Sequence, residues 1–181
     1  MEDVELHKNL LYLQSNDLDM RKFIAAIILL LMPFVSFGRI NKDINGLELG
    51  TTNLYDAVTL LKSFDKDCIY YESNGKIEAS AHNFPFAGIN WDTIISSFEN
   101  GQLVRLQMDA NNYPLTQFGK LFKDLNNAFL SKYEDFLVYS SATACMYKDE
   151  HVRILLSYDE AHSTITLTYT YEYKPKIGEG I

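Results

Sequence analysis

Apolar residues recur along this chain first at helical spacing, then at strand spacing, and then in the same order again. Leu54, Ala57, Val58, Leu61 and Phe64 follow one another at steps of three and four, which puts them on one face of a helix over about 53–64. Thr51, Thr52 or Asn53 can cap its start, and Asp56 near the start and Lys62 near the end suit the helix dipole. Strand-like runs come next: Cys68–Tyr71 and Lys76–Asn83 around Ser73-Asn74-Gly75, then Ile89–Phe98 and Leu103–Met108 around Asn100-Gly101. Asn-Gly suits tight hairpins because both residues tolerate positive φ. Val104, Leu106 and Met108 fall on one side of their strand, Arg105 and Gln107 on the other. Between the two hairpins, Phe84-Pro85-Phe86-Ala87-Gly88 is expected to break the ladder, since proline lacks a donor and glycine often marks a bulge.

Pro114 opens a second predicted helix, about 115–132, at a position where its missing N–H costs nothing. Leu115, Phe118, Leu121, Phe122, Leu125 and Phe129 form its apolar stripe, and Lys120, Lys123, Asp124 and Asn127 lie off it. Strands resume at Phe136–Ser140, Thr143–Lys148, Val152–Tyr158 and Thr164–Tyr173, with turns at Asp149-Glu150 and Asp159-Glu160-Ala161-His162. In the last strand Ile165, Leu167, Tyr169, Tyr171 and Tyr173 alternate with Thr164, Thr166, Thr168 and Thr170, which predicts one covered and one wet face. Arg39–Thr52, holding Asn45-Gly46 and Gly50, reads as turn-rich, and Lys174–Ile181 as a frayed tail. The predicted class is α+β: two helix-plus-antiparallel-hairpin pseudo-repeats, about 50–110 and 111–173, with the helices packed on one face of a curved sheet.

Two local motifs carry a family resemblance. Leu49-Gly50-Thr51-Thr52-Asn53-Leu54-Tyr55-Asp56-Ala57-Val58 leads through Gly-Thr into a helix, and Phe98-Glu99-Asn100-Gly101-Gln102-Leu103 is an acidic Asn-Gly hairpin. With the repeated order of elements over 47–173, the chain resembles the β-lactamase-inhibitor-protein type of domain. It also resembles the related fold of small envelope lipoproteins that assist outer-membrane assembly. The resemblance implies an exported binding or inhibitor-like domain and assigns no functional residue.

Export is also what the upstream sequence predicts. Met20-Arg21-Lys22 precedes an apolar run, Phe23–Phe37, with small residues Ser36 and Gly38 at its exit, the three regions of a secretory signal peptide over 20–38. The run is shorter than the roughly 20 apolar residues that span a bilayer. Residues 1–19 carry Glu2, Asp3, Glu5, Asp17 and Asp19 against Lys8 alone. They read either as non-native sequence ahead of a start at Met20 or as an acidic N-terminal extension. In the second case Phe23–Phe37 would stay as a membrane anchor, with Arg21 and Lys22 inside and the C-terminal domain outside. A third option, a buried core helix, conflicts with Pro33 in the middle of the run. Residues 39–181 then make one domain, placed in the periplasm or outer envelope of a Gram-negative bacterium.

Charge narrows the partners. The chain of 181 residues has net charge −8, and its charges are scattered without a basic stripe, which speaks against nucleic acid and against an anionic membrane surface. A membrane is expected only through 23–37 if these residues are uncleaved. Cys68 and Cys145 each sit in a strand-like run and are read as two buried thiols rather than as a bridge between the halves. His82, His151 and His162 stand singly without ligand spacing, so neither metal nor cofactor is expected.

Catalytic motifs are missing: no Gly-x-Ser-x-Gly, no P-loop and no dinucleotide fingerprint. Asp92 and Glu99 read as solvated carboxylates, and His82 near Asp92 is the one acid–base pair that a small exported hydrolase could use. The feature with most weight is aromatic: Tyr70, Tyr71, Trp91, Tyr139, Tyr147, Tyr158, Tyr169, Tyr171 and Tyr173 all fall in or near strands. If several share an open face, they form a platform of residue types that dominate protein-binding hot spots. Tyr169, Tyr171 and Tyr173 are the expected partner-binding residues of such a face. The competing expectation is that most of these rings fill the core or stiffen cross-strand pairs.

Overall fold

A computed structural model describes residues 39–73 and 76–173, and all of these except 87–89 belong to one compact unit. The predicted signal peptide, the residues before it, the Asn74-Gly75 turn and the predicted tail lie outside the described residues. A small hairpin, β1 (Asp43–Ile44) and β2 (Leu47–Glu48), turns on Asn45 (φ 52°) and Gly46 (φ 91°). It is followed by helix α1 (Leu54–Phe64) and strands β3 (Ile69–Ser73), β4 (Lys76–Phe86), β5 (Ile89–Glu99) and β6 (Gln102–Ala110). Helix α2 (Leu115–Tyr133) then leads through a 3-10 turn, Glu134–Phe136, into β7 (Leu137–Ser140), β8 (Ala144–Lys148), β9 (Val152–Asp159) and β10 (Thr164–Tyr171). The class is α+β, with two helices and an eight-stranded, mostly antiparallel sheet in the order β3-β4-β5-β6-β10-β9-β8-β7.

Helix α1 starts where the spacing predicts, and Asn53 is its cap. The Asp56 N–H donates to Asn53 Oδ1 at 3.0 Å while Asn53 Nδ2 donates to Asp56 Oδ2 at 2.8 Å, so cap and first turn hold each other. Ala57 and Leu61 are its buried residues, and α1 lies against β4, where Phe64 meets Phe84 edge-on at 5.3 Å. Along α2, Phe118, Phe122, Leu125, Phe129 and Tyr133 are buried. Their rings meet tyrosines of the last strands: Phe118 stacks on Tyr158 at 6.1 Å, and Phe129 lies 6.0 Å from Tyr147 and 6.5 Å from Tyr169. Such pairs add to the area that each ring removes from water.

The strand breaks within Phe84–Gly88 as expected, at Ala87 (φ 53°) and Gly88 (φ 73°), but not at the proline. Strand β4 runs on through Pro85 to Phe86, and Asn83, at φ 56°, takes up the irregularity one step earlier. Hydrogen bonds from outside the strand support the extension: Trp91 Nε1 donates to Phe86 O at 3.0 Å and Asn45 Nδ2 to Pro85 O at 2.5 Å. The Asn100-Gly101 hairpin has φ of 51° and 77°, the positive values that this dipeptide tolerates.

Cys68 and Cys145 are buried free thiols. Cys68 directly precedes β3 and Cys145 lies in β8, with five strands between β3 and β8 in the sheet. At about 4.8 Å per strand, that separation far exceeds the ~7 Å between Cα atoms that a disulfide allows.

Gly50 is the glycine that the packing needs. Its φ is +78°, its N–H donates to Leu103 O at 2.7 Å, and a Cβ there would stand 2.8 Å from Tyr171 Cζ. Gly101 has nearly the same φ, +77°, but a Cβ there meets nothing within 4 Å. Gly101→Ala therefore carries only the left-handed backbone cost, about 1–2 kcal/mol. Gly50→Ala adds an overlap with the tyrosine ring, worth roughly 1–3 kcal/mol more. Urea unfolding of the two variants tests this, and equal midpoints would show that Tyr171 does not rest on Gly50 in solution.

Candidate functional site

Register sorts the side chains onto two faces. Leu106, Met108 and Ala110 of β6 lie opposite Tyr169, Leu167 and Ile165 of β10, which in turn lie opposite Ile154, Leu156 and Tyr158 of β9. All of these are buried except Tyr158, which is half-buried under Phe118 and Phe122. Tyr169 is in step with Ile165 and Leu167, and period two therefore turns it inward. Its ring is 3% exposed, against Phe129 and Phe86, and burial pushes its hydroxyl pKa well up. Tyr171, in the same phase, is half-buried between Gly50, the His151 ring at 6.0 Å and the Tyr173 ring at 4.9 Å. Tyr173 alone of the three is exposed, at 48%, with its hydroxyl donating to Gln102 Oε1 at 2.6 Å. The three rings expected to form one open platform thus divide into one core residue, one half-buried and one at the surface.

Trp91 and Tyr147 are also fully buried. Burial pushes the Tyr147 hydroxyl up and that of neighbouring Tyr133 to about 12. Of the tyrosines weighed from the sequence, the exposed ones are Tyr70 and Tyr71 on β3, Tyr139 on β7, and Tyr173 just beyond β10.

The opposite face carries a different row. Tyr139 lies opposite Met146, Met146 opposite Leu155, Leu155 opposite Thr168, Thr168 opposite Gln107, and Gln107 opposite Ile95. Tyr139 is exposed, and Met146, Leu155, Gln107 and Ile95 are partly exposed. Polar groups beside the row are tied down: Arg105 Nη2 donates to Gln107 Oε1 at 2.7 Å, Gln107 Nε2 to Asp109 Oδ2 at 3.0 Å, and Thr166 Oγ1 to Asp109 Oδ1 at 2.7 Å. Toward β3, Tyr71 Oη and Ser97 Oγ both donate to Glu78, at 2.7 and 3.1 Å. The line is therefore apolar at Tyr139, Met146, Leu155 and Ile95, is interrupted by buried Thr168 and by Gln107, and has side-chain bonds around it. Single-sequence reasoning weighted the tyrosines of β10 and passed over this line, because Met146, Leu155 and Ile95 sit on three strands and meet only through register. No family model, no curated protein and no solved structure matches this chain.

Catalytic candidates can be judged on geometry. His82 Nδ1 lies 3.1 Å from the backbone oxygen of Asp92, not from its carboxylate. That carboxylate accepts the backbone N–H groups of Asn111 and Asn112 at 2.6 and 3.0 Å and Asn112 Nδ2 at 2.6 Å. Asp92 thus ties the end of β6 to β5, and the structure brings no acid–base pair together there. Among the described residues, no three His, Cys, Asp or Glu side chains group as a metal site. None of the described helices is long and apolar enough to cross a membrane.

One exposed titrating pair gives a readout of the loop between β9 and β10. His162 Nδ1 lies 2.7 Å from Asp159 Oδ2, and that hydrogen bond, aided by the charge, raises the imidazole above its ordinary 6.5. The same bond lowers Asp159 below 3.8. For the histidine, the stabilisation is complete below 6.5 and is lost as pH rises through the raised value; for the aspartate, it is complete above 3.8 and is lost as pH falls through the lowered one. An NMR titration should place His162 above 6.5 and return it to the ordinary value in Asp159→Asn. An identical midpoint in both proteins would show that the pair does not form in solution.

Proposed function

We propose that this chain is an exported, non-enzymatic binding or inhibitor-like module of the bacterial cell envelope, which holds a protein partner on the sheet face opposite the buried one. The observation that carries the reading is the row Tyr139–Met146–Leu155–Thr168–Gln107–Ile95, whose register crosses six strands without a charged side chain. Apolar area framed by bonded polar groups is the make-up of protein interfaces. The Tyr-rich surface of the sequence reading is accordingly narrowed to the one exposed ring on that row, Tyr139.

The rest of the reading has three supports. Each helix precedes four strands, and the two sets meet at β6 and β10. We read this order as two pseudo-repeats with both helices over the face that carries Ala79, Leu106, Leu167 and Ile154. That arrangement is in keeping with the resemblance to β-lactamase-inhibitor-protein-type and envelope-assembly domains. Met20-Arg21-Lys22 and the apolar run after it favour export to the periplasm or outer envelope, with a membrane-anchored form as the alternative. The competing reading, a small exported hydrolase, needs a carboxylate or histidine free to act, and the bonds made by His82 and Asp92 lend it no support.

Two experiments test this. After expression in a Gram-negative bacterium, N-terminal sequencing should find a mature end shortly after Gly38, and an uncleaved cytosolic protein would end the export reading. Immobilised protein should capture a specific envelope protein, and Leu155→Arg should weaken capture by about tenfold or more, as loss of a hot-spot contact does. Tyr169→Phe, which alters only a buried ring, should leave capture unchanged. Turnover in a broad hydrolase substrate panel, with no specific capture, would overturn the proposal.

A further inference from the structure

Among the described residues, β3 and β7 end the eight-stranded sheet, and both expose large apolar side chains. An edge strand leaves alternate backbone N–H and C=O groups without a neighbour, which makes it a template for a further strand. The two edges differ. Strand β7 has four residues, and its register on β8 shifts between Leu137 and Tyr139, an irregularity of the kind that blunts an edge. Strand β3 keeps one-to-one register with β4 from Ile69↔Ser80 to Ser73↔Lys76 and contains neither proline nor lysine. Its Ile69, Tyr70 and Tyr71 are 61%, 64% and 43% exposed.

We propose that β3 pairs antiparallel with β3 of a second copy of this chain, about a two-fold axis through Tyr70. The sequence Ile69-Tyr70-Tyr71 complements itself in that register. Tyr70 faces the partner's Tyr70 on one side of the sheet, and Ile69 faces the partner's Tyr71, twice, on the other. Glu72 falls beyond the apolar trio, opposite the partner's Cys68. Neighbouring registers are worse. An axis through Tyr71 sets Tyr70 opposite the partner's Glu72 and Ile69 opposite its Ser73, and one through Glu72 sets two carboxylates face to face, which is destabilising. Two tyrosines and one isoleucine, each about half exposed, offer on the order of 300 Å² per copy. A stable interface takes about 800 Å² per partner. The pairing is therefore weak and concentration-dependent, held by main-chain hydrogen bonds and three side chains. It uses a different surface from the open-face row, so the two can be occupied together.

The test is photo-crosslinking of the full chain expressed in a bacterium, with a benzophenone amino acid in place of Ile69 on β3 or, separately, Val138 on β7. The probe at 69 should give an adduct of twice the chain's mass, and the probe at 138 only a trace. This comparison needs no destabilising variant. Tyr70→Lys sets like charges opposite each other and should cut the adduct by roughly fivefold or more. Co-expressing Tyr70→Lys with Tyr70→Glu should restore it, since the two charges then pair across the axis. Leu155→Arg should leave the adduct intact, so that failure of this inference and failure of the partner-binding reading stay distinguishable. No dimer adduct at 69, equal adducts at 69 and 138, an adduct at 69 to a different protein, or no rescue by the mixed charges would each overturn the inference.

Discussion

The antiparallel pairing of β6 with β10 holds the rest of the sheet in place. Six residues of each strand face one another, from Ile165 opposite Ala110 to Thr170 opposite Arg105. In the hydrogen-bonded strand order, the first set joins the second at β6 and the second joins the first at β10. On one side the seam stacks Leu106 on Tyr169 and Met108 on Leu167, all buried. On the other, Thr166 donates to Asp109 across a sequence separation of 57 residues. Contacts so far apart in the chain need their loop entropy offset by burial, and the apolar side of the seam supplies it.

The distribution of aromatic side chains follows from that seam. Strands β6, β9 and β10 have neighbours on both sides and, on one face, large apolar side chains, so Tyr169 and the ring of Tyr158 pack under α2. Moving outward, cover is lost: β7 is exposed along its whole length, and β3 exposes its apolar residues. The exposed surface of the sheet is consequently of two kinds, an open face with one partly apolar line and, among the described residues, two edge strands. Their physics differs, since the face offers side-chain area and the edge offers main-chain hydrogen bonds.

Three aspartates hold backbone segments together. The Asp65 carboxyl accepts the backbone N–H of His82 and of Asp67 and is held below the usual carboxylate range by them. The Asp149 carboxylate accepts the backbone N–H groups of Ile40, His151 and Val152, tying the start of the domain to the β8–β9 turn. Asp92 anchors the chain after β6. Carboxylates placed this way act as turn and loop anchors, in the manner of Asx turns. Asp92, the one of the three weighed beside a histidine in the sequence, bonds the backbone of Asn111 and Asn112.

Local physics was enough for the elements. Asn53 as a cap, the 118–122–125–129 stripe, the Asn100-Gly101 turn and the alternation of β10 are each decided within a few residues by backbone preference and side-chain period, and each appears where the spacing puts it. The period of β10 even held the answer about Tyr169, since a residue in step with Ile165 and Leu167 shares their face. Pro85 within β4 was not legible, because hydrogen bonds from Asn45 and Trp91, outside that strand, support the stretch it lies in. The candidate surfaces were not legible either. Which strands become edges, and which of Met146, Leu155 and Ile95 come into line, depends on strand order and register. These are properties of pairing between distant segments, and no single stretch of sequence encodes them.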